Sequence, residues 1–428
     1  MEKIRINNFE EHLYYDELSN GLKVFVVPIK NKKSFSSMLV TKYGGRDINF
    51  KINGKTYNTP TGIAHFLEHK MFEREDDPFV FYGKFGTDVN ASTSDDYTGY
   101  YFVGSKCFDK SLKYLLNWIQ SLSIDEALVE KEKGIILEEA SMYTDNPNRV
   151  MHNKIKECVF VNDPKKNKVI GTDEDIQTIT KDQLELCYNN FYVPNNMFLI
   201  VAGNVNPKKV FDITNKETKN FSKSNDSVVS VYGNEPDYVA KKSEELYMNV
   251  STPRVCLSYK INKDCFKELS FTKFELDLYL QFLINISLGV TSEIRQEWIL
   301  QELFTDAFYR MLEIDSHYIL QLHAYSDKVD KLVSALIDYI KDLKVDPVSF
   351  EREKKIWIAN EIRAIENPIS TIYNVLDDIL DYDEFIPNKI EIIRNLTYEN
   401  LLKTKECMDY NNYSVIKILP LQSLNKNL

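Results

Sequence analysis

EKEKGIILEEASMYTDNP (residues 130–147) returns, altered, as EREKKIWIANEIRAIENP (residues 351–368). The offset is 351 − 130 = 221 residues, without a gap. Upstream, at the same offset, SLKYLLNWIQSLSID (111–125) lies over LVSALIDYIKDLKVD (332–346), with apolar residues at matching places. Downstream, ITKDQL (179–184) resembles LTYENL (396–401) at an offset of 217. A drift of four residues is what insertions and deletions in loops produce. Three matches in one order, at nearly one offset, mark an internal duplication, which sets the architecture before any single element does.

Two homologous domains follow, 1–215 and 240–428, with 216–239 between them. The joining stretch NKETKNFSKSNDSVVSVYGNEPD (215–237) is rich in Asn, Ser, Lys and Asp, a composition that suits a solvated linker. In the first half, residues 22–27, 37–42, 100–103 and 198–202 read as strands. Leu112, Leu115, Leu116, Ile119 and Leu122 recur with helical period, and a second helix covers 127–144. Strands mixed with helices give an α+β class: each half a mostly antiparallel sheet with helices packed on one side.

Composition narrows the function. At 428 residues and 43% apolar content, the chain has enough material for two real cores. Its net charge of −11 argues against a nucleic-acid partner and against docking on anionic lipid. The six cysteines never fall at Cys-x-x-Cys spacing, so we expect reduced, buried thiols. The N-terminus shows no apolar segment with a cleavage site, and no stretch approaches 18 uncharged apolar residues. The expectation is a cytoplasmic protein without a membrane span.

Thr61-Gly-Ile-Ala-His65-Phe-Leu-Glu68-His69 carries the chemistry. On a helix, His65 and His69 are four apart and share a face, so both imidazoles can reach one metal ion. Glu68 sits beside that face, within reach of a water but outside the ligand set. The surrounding Ile63, Ala64, Phe66, Leu67, Met71 and Phe72 are apolar, so this helix is buried. Buried imidazoles and a carboxylate need partners, and a metal supplies them. A surface His pair with no role is the bland alternative; the apolar setting argues against it.

The duplication offers an independent route to a third ligand. At the 221-residue offset, Glu132 lies opposite Glu353, whereas Glu139 lies opposite the neutral Asn360. QFLIN (281–285), at the depth of HFLEH in its own half, has neither histidine nor glutamate. The second half keeps the scaffold and lacks the ligands. That difference picks out His65, Glu68, His69 and Glu139 together.

His-Phe-Leu-Glu-His is the inverted form of His-Glu-x-x-His, the inverzincin signature. With Gly62–Glu73, GTDVNASTS (86–94), Glu130–Ile136 with Glu139, and FYVPNNM (191–197), the chain resembles the pitrilysin/insulinase family of zinc metallopeptidases over nearly its whole length. The His-Lys-Met-Phe-Glu run resembles the bacterial processing-peptidase-like branch of half-length chains. The resemblance implies one Zn2+ per chain, held by His65, His69 and Glu139. It implies Glu68 as the catalytic base, with Glu132 as a catalytic-site glutamate standing behind the ligands. It also implies substrate binding by strand addition along Asn90, Ala91 and Ser92. The expected function is a zinc-dependent endopeptidase that hydrolyses short or unfolded peptides inside an enclosed chamber.

Two features depart from the family pattern. His69 and Glu139 are 70 residues apart, slightly close for the family, as a loop deletion would give. Catalytic members draw an Arg and a Tyr, seven apart, from a second-half domain to hold the substrate carbonyl. Residues 291–312 offer Arg295, Tyr309 and Arg310 without that spacing. The expected partner is therefore a homologous chain lacking the zinc motif, in a heterodimer, or else a homodimer. A maturation peptidase that removes the leader of one ribosomally made peptide would use the same chemistry. A non-catalytic scaffold subunit would be expected to have eroded ligands, and none is eroded here.

Overall fold

A computed structural model describes residues 1–7 and 9–422. Its fifteen strands form three sheets. The largest runs in the order β1 (Glu2–Arg5), β2 (His12–Glu17), β3 (Lys23–Pro28), β9 (Met197–Gly203), β4 (Phe35–Thr41), β8 (Thr98–Gly104) and β7 (Asp88–Thr93). Only β3 and β9 pair in parallel; every other neighbour is antiparallel. Strands β3, β4 and β9 read KVFVVP, FSSMLVT and MFLIVAG. Such near-continuous apolar runs belong to strands covered on both faces. On one face the helices Ile63–Phe72, Phe108–Ile119 and Pro207–Glu217 meet the sheet. On the other, Phe25, Val27, Met38, Val40 and Ile200 close against Ile372, Val375, Leu376 and Ile379 of the helix Pro368–Tyr382.

A five-stranded sheet runs β11 (Ser243–Met248), β15 (Tyr413–Pro420), β12 (Arg254–Asn262), β14 (His317–Tyr325), β13 (Asp306–Glu313). Its order repeats β3-β9-β4-β8-β7 strand for strand, and again only the first pair, β11 with β15, is parallel. The duplication is thus a repeated topology. One face buries Leu257, Tyr259, Leu320 and Leu322 against Leu278 and Phe282 of the helix Lys273–Leu288 and Leu332 and Leu336 of Val329–Ile340. The other buries Cys256, Ile319 and Ile416 against Met151 and Ile155 of the helix Pro147–Val159. The fold is α+β, two mostly antiparallel sheets with most helices on one side and a single helix on the other.

Those single helices are themselves repeats. They begin 368 − 147 = 221 residues apart, each behind an asparagine cap, Asn146 or Asn367, with proline in the first turn. Each packs on the sheet of the opposite half. One compact unit accordingly comprises Met1–Ala140, Asn167–Tyr232 and Asn360–Ile390; the second comprises Ser141–Lys166, Gly233–Ala359 and the chain from Glu391 on. We propose that the duplicated segments remain 1–215 and 240–428, with this reciprocal exchange of one helix laid over them. Within 216–239, β10 (Val228–Ser230) joins β5 (Asn49–Ile52) and β6 (Lys55–Asn58) in a small sheet. Glu235 there is buried, taking the amides of Val161, Asn162 and Asp163 and the ammonium of Lys260.

Gly62 sets the start of the helix Ile63–Phe72. Its φ is +86°, and a Cβ there would meet the carbonyl oxygen of Ile170 at 2.3 Å. Gly62→Ala should therefore cost at least about 1–3 kcal/mol. Gly134, inside the helix Glu126–Thr144, has open space where a Cβ would go. Gly134→Ala should gain about 0.5–1 kcal/mol. Opposite shifts in the unfolding midpoint check the pair; a neutral Gly62→Ala would show that the turn is not as described.

Candidate metal centre

Two helices build the centre. Ile63–Phe72 buries Ile63, Ala64, Phe66, Leu67 and Met71, which turns His65, Glu68 and His69 toward one side. Glu126–Thr144 anchors through buried Val129, Ile136 and Ala140 and presents Glu132 and Glu139, two turns apart. One ligand atom each from His65, His69 and Glu139 lies within 4.8 Å of the others. Glu139 Oε2 is 3.4 Å from His69 Nε2 and 3.8 Å from His65 Nε2. A tetrahedral zinc with bonds of about 2.0–2.2 Å needs ligand atoms roughly 3.3–3.6 Å apart, so this set fits with small adjustments.

His69 Nδ1 lies 2.9 Å from Glu132 Oε1, a contact that leaves Nε2 to face the ligand set. Burial alone would lower the His69 pKa; hydrogen bonds to Glu132 and Glu139 outweigh it and raise the value to about 9. Its hydrogen bond to His69 in turn holds the Glu132 carboxyl below its ordinary value. Metal and proton compete for the imidazole. In the metal-free protein, charged His69 stabilises the fold below about pH 6.5, its unfolded value, and that contribution is lost as pH rises through about 9. Zinc affinity runs the other way. It should strengthen about tenfold per unit across that window, with a proton released on binding at pH 7. Calorimetry in buffers of different ionisation enthalpy would show the release; proton-independent binding would contradict the assignment of His69.

Glu68 stands outside the ligand set. Thr93 Oγ1, on the edge strand β7, donates to Glu68 Oε2 at 2.5 Å. Burial pushes the Glu68 carboxyl up, partly offset by Thr93, the direction a general base working near neutrality requires. Thr93 was not singled out in the sequence, although it lies in GTDVNASTS. Only the packing of a strand end on a helix face reveals it. Asn90, Ala91 and Ser92 lie on β7, the last strand of its sheet, whose outer edge has no neighbouring strand among the described residues. The Asn90 side-chain carbonyl accepts the Ala91 N–H at 2.9 Å.

The second unit retains a trace of the same device. Glu353, buried like Glu132, accepts from Trp357 Nε1 at 3.0 Å and is hydrogen-bonded with Asn285, which stands where HFLEH has its second histidine. The Tyr309 hydroxyl donates to Asn285 Oδ1. Arg295 pairs with Asp306 at 3.7 Å. Among the described residues, His65, His69 and Glu139 form the one group of His, Cys, Asp and Glu side chains placed to hold a metal.

Fold and site together define a duplicated α+β protein whose first unit brings together His65, His69 and Glu139, a group that could hold a metal. The chain belongs to the insulinase family of peptidases, peptidase family M16. Residues 52–173 match the family model for insulinase, and residues 178–356 match that for the M16 inactive domain. An uncharacterized zinc protease of Bacillus subtilis, YmfH, is 29% identical over 429 residues, covering 98% of this chain and 99% of that protein. The zinc protease PqqE of Helicobacter pylori is 30% identical over 256 residues, 57% of this chain and 55% of that one. The crystal structure of an M16-like peptidase from Alicyclobacillus acidocaldarius superposes with a TM-score of 0.89 at 26% identity, covering 96% of this chain and 99% of that one. A Helicobacter pylori protease shares the fold at 21% identity, TM-score 0.82. Among the described residues, no helix is long and apolar enough to cross a membrane.

Proposed function

We propose that the chain is a zinc endopeptidase for short or unfolded peptides, with one ion held by His65, His69 and Glu139. The carrying observation is the convergence of those three groups while Glu68, one helical position away, is held aside by Thr93. Zinc supplies, when bound, a Lewis acid that polarises a carbonyl and acidifies water. Glu68 takes the proton of the attacking water and returns it to the leaving amine. Glu132 fixes the orientation of His69. The open edge of β7 takes an extended substrate as an added strand along Asn90, Ala91 and Ser92, so main-chain bonds give affinity with loose sequence preference.

The working form is a pair with a homologous chain lacking the zinc motif, enclosing a chamber that folded proteins do not enter. Supporting this, Tyr309 and Arg295 are occupied by Asn285 and Asp306, and neither belongs to an Arg–Tyr pair seven apart. A homodimer is the competing arrangement. The six cysteines are unpaired, which suits the reducing cytoplasm, although an Escherichia coli relative of this fold, PqqL, is a periplasmic protease.

Quenched fluorescent peptides test the reading. The zinc-loaded chain should cleave them once mixed with the motif-lacking homologue and leave folded proteins intact. Full activity of the chain alone would remove the partner from the account. Inactivity in every pairing would remove the peptidase.

A further inference from the structure

We propose that the second unit carries an oxyanion-binding pocket, built by Arg254 and Arg310, that takes a phosphate or a carboxylate. It lies on the face of the five-stranded sheet where the helix Pro147–Val159 packs. That helix packs chiefly on β11, β15 and β12 and meets β14 at Ile319, and the cavity opens beside Asn148 and His152, where Arg254, Arg310 and His323 line it. Asn148 and His152 line the cavity from the helix; Arg254, Phe308, Arg310, His323 and Tyr325 line it from the strands. Among the described residues no carboxylate lines it, although acidic residues outnumber basic ones, 64 to 53, in this chain.

The two guanidiniums lack the counter-charges that other arginines here possess. Arg46, Arg74 and Arg295 each face an aspartate. Arg254 donates to the neutral Asn148 Oδ1 at 2.5 Å, and its Nε is buried without an acceptor. Among the described residues, Arg310 makes no ion pair; its guanidinium rests over the Phe308 ring, 5.7 Å from the centroid. Arg254 lies over Tyr325 at 5.3 Å. The rings consume no N–H donor, so apart from the Arg254 bond to Asn148 the guanidinium edges stay available to an acceptor, the geometry guanidinium uses for oxyanions. His323, stacked on Phe308 at 4.6 Å, is pushed down to about 4, first by burial and then by the charges of Arg310 and His152.

Titration calorimetry of the full chain at low ionic strength, with inorganic phosphate and with succinate against matched chloride, tests the site. Saturable binding is expected, weakened about tenfold or more by Arg310→Met and by Arg254→Met. Arg310 is exposed and unpaired, so its variant should keep the wild-type unfolding midpoint and report binding alone. Phosphate binding without succinate would identify a free phosphate as the ligand. Binding of both would admit a peptide carboxylate. Binding no stronger than chloride, or unchanged in both variants, would overturn the proposal.

Discussion

Glu68→Gln should leave zinc content unchanged and cut kcat by about 10²–10⁴-fold, the range attributed to a positioned general acid–base. The amide is the same size and can still accept from Thr93 Oγ1, so the helix and its neighbour on β7 stay in place. What it cannot do is take a proton. Because Glu68 lies outside the ligand set, the loss should fall on kcat with metal occupancy intact. Zinc loss in this variant would mean that Glu68 is a ligand and that the set has been misassigned. Undiminished cleavage would mean that another group is the base.

Glu139→Asn should abolish stoichiometric zinc binding and, with it, activity. The substitution installs what the second copy already carries, since Asn360 occupies the matching position. Removing one of three protein ligands takes away a charged donor and leaves two imidazoles, which cannot hold zinc against a chelator. Glu132→Gln provides the graded comparison. It spares the ligands and disturbs only the bond to His69 Nδ1, so affinity should weaken about 10–100-fold. Metal analysis after dialysis against a weak chelator distinguishes the two, and equal retention by wild type and Glu139→Asn would remove Glu139 from the centre.

The grouping of His65, His69 and Glu139 was legible in the sequence because its parts obey local rules. His65 and His69 share a helix face by spacing alone, and the divergence between Glu139 and Asn360 singled out, without any geometry, the third residue that the fold brings beside them. The α+β class was legible for the same reason: strand and helix periods differ, and the repeat imposed one plan on both halves. Long-range packing was not. The helices Pro147–Val159 and Pro368–Tyr382 carry clear apolar faces, but a face does not say which of two similar sheets it will cover. Thr93 bonds Glu68 across 25 residues, a contact no periodicity encodes. The strand Val228–Ser230 and buried Glu235 hide in a polar stretch because composition averages over the few residues that are fixed. Tyr309 could be listed as a candidate from sequence, yet its partner Asn285 emerges only when strand and helix are packed.

X-ray absorption at the zinc edge of the purified chain tests the central claim most directly. The expected spectrum is that of one zinc per chain with two imidazole nitrogens and carboxylate or water oxygens at about 2.0–2.2 Å. A chain that takes up no zinc, or a spectrum with sulfur in the coordination sphere, would contradict it.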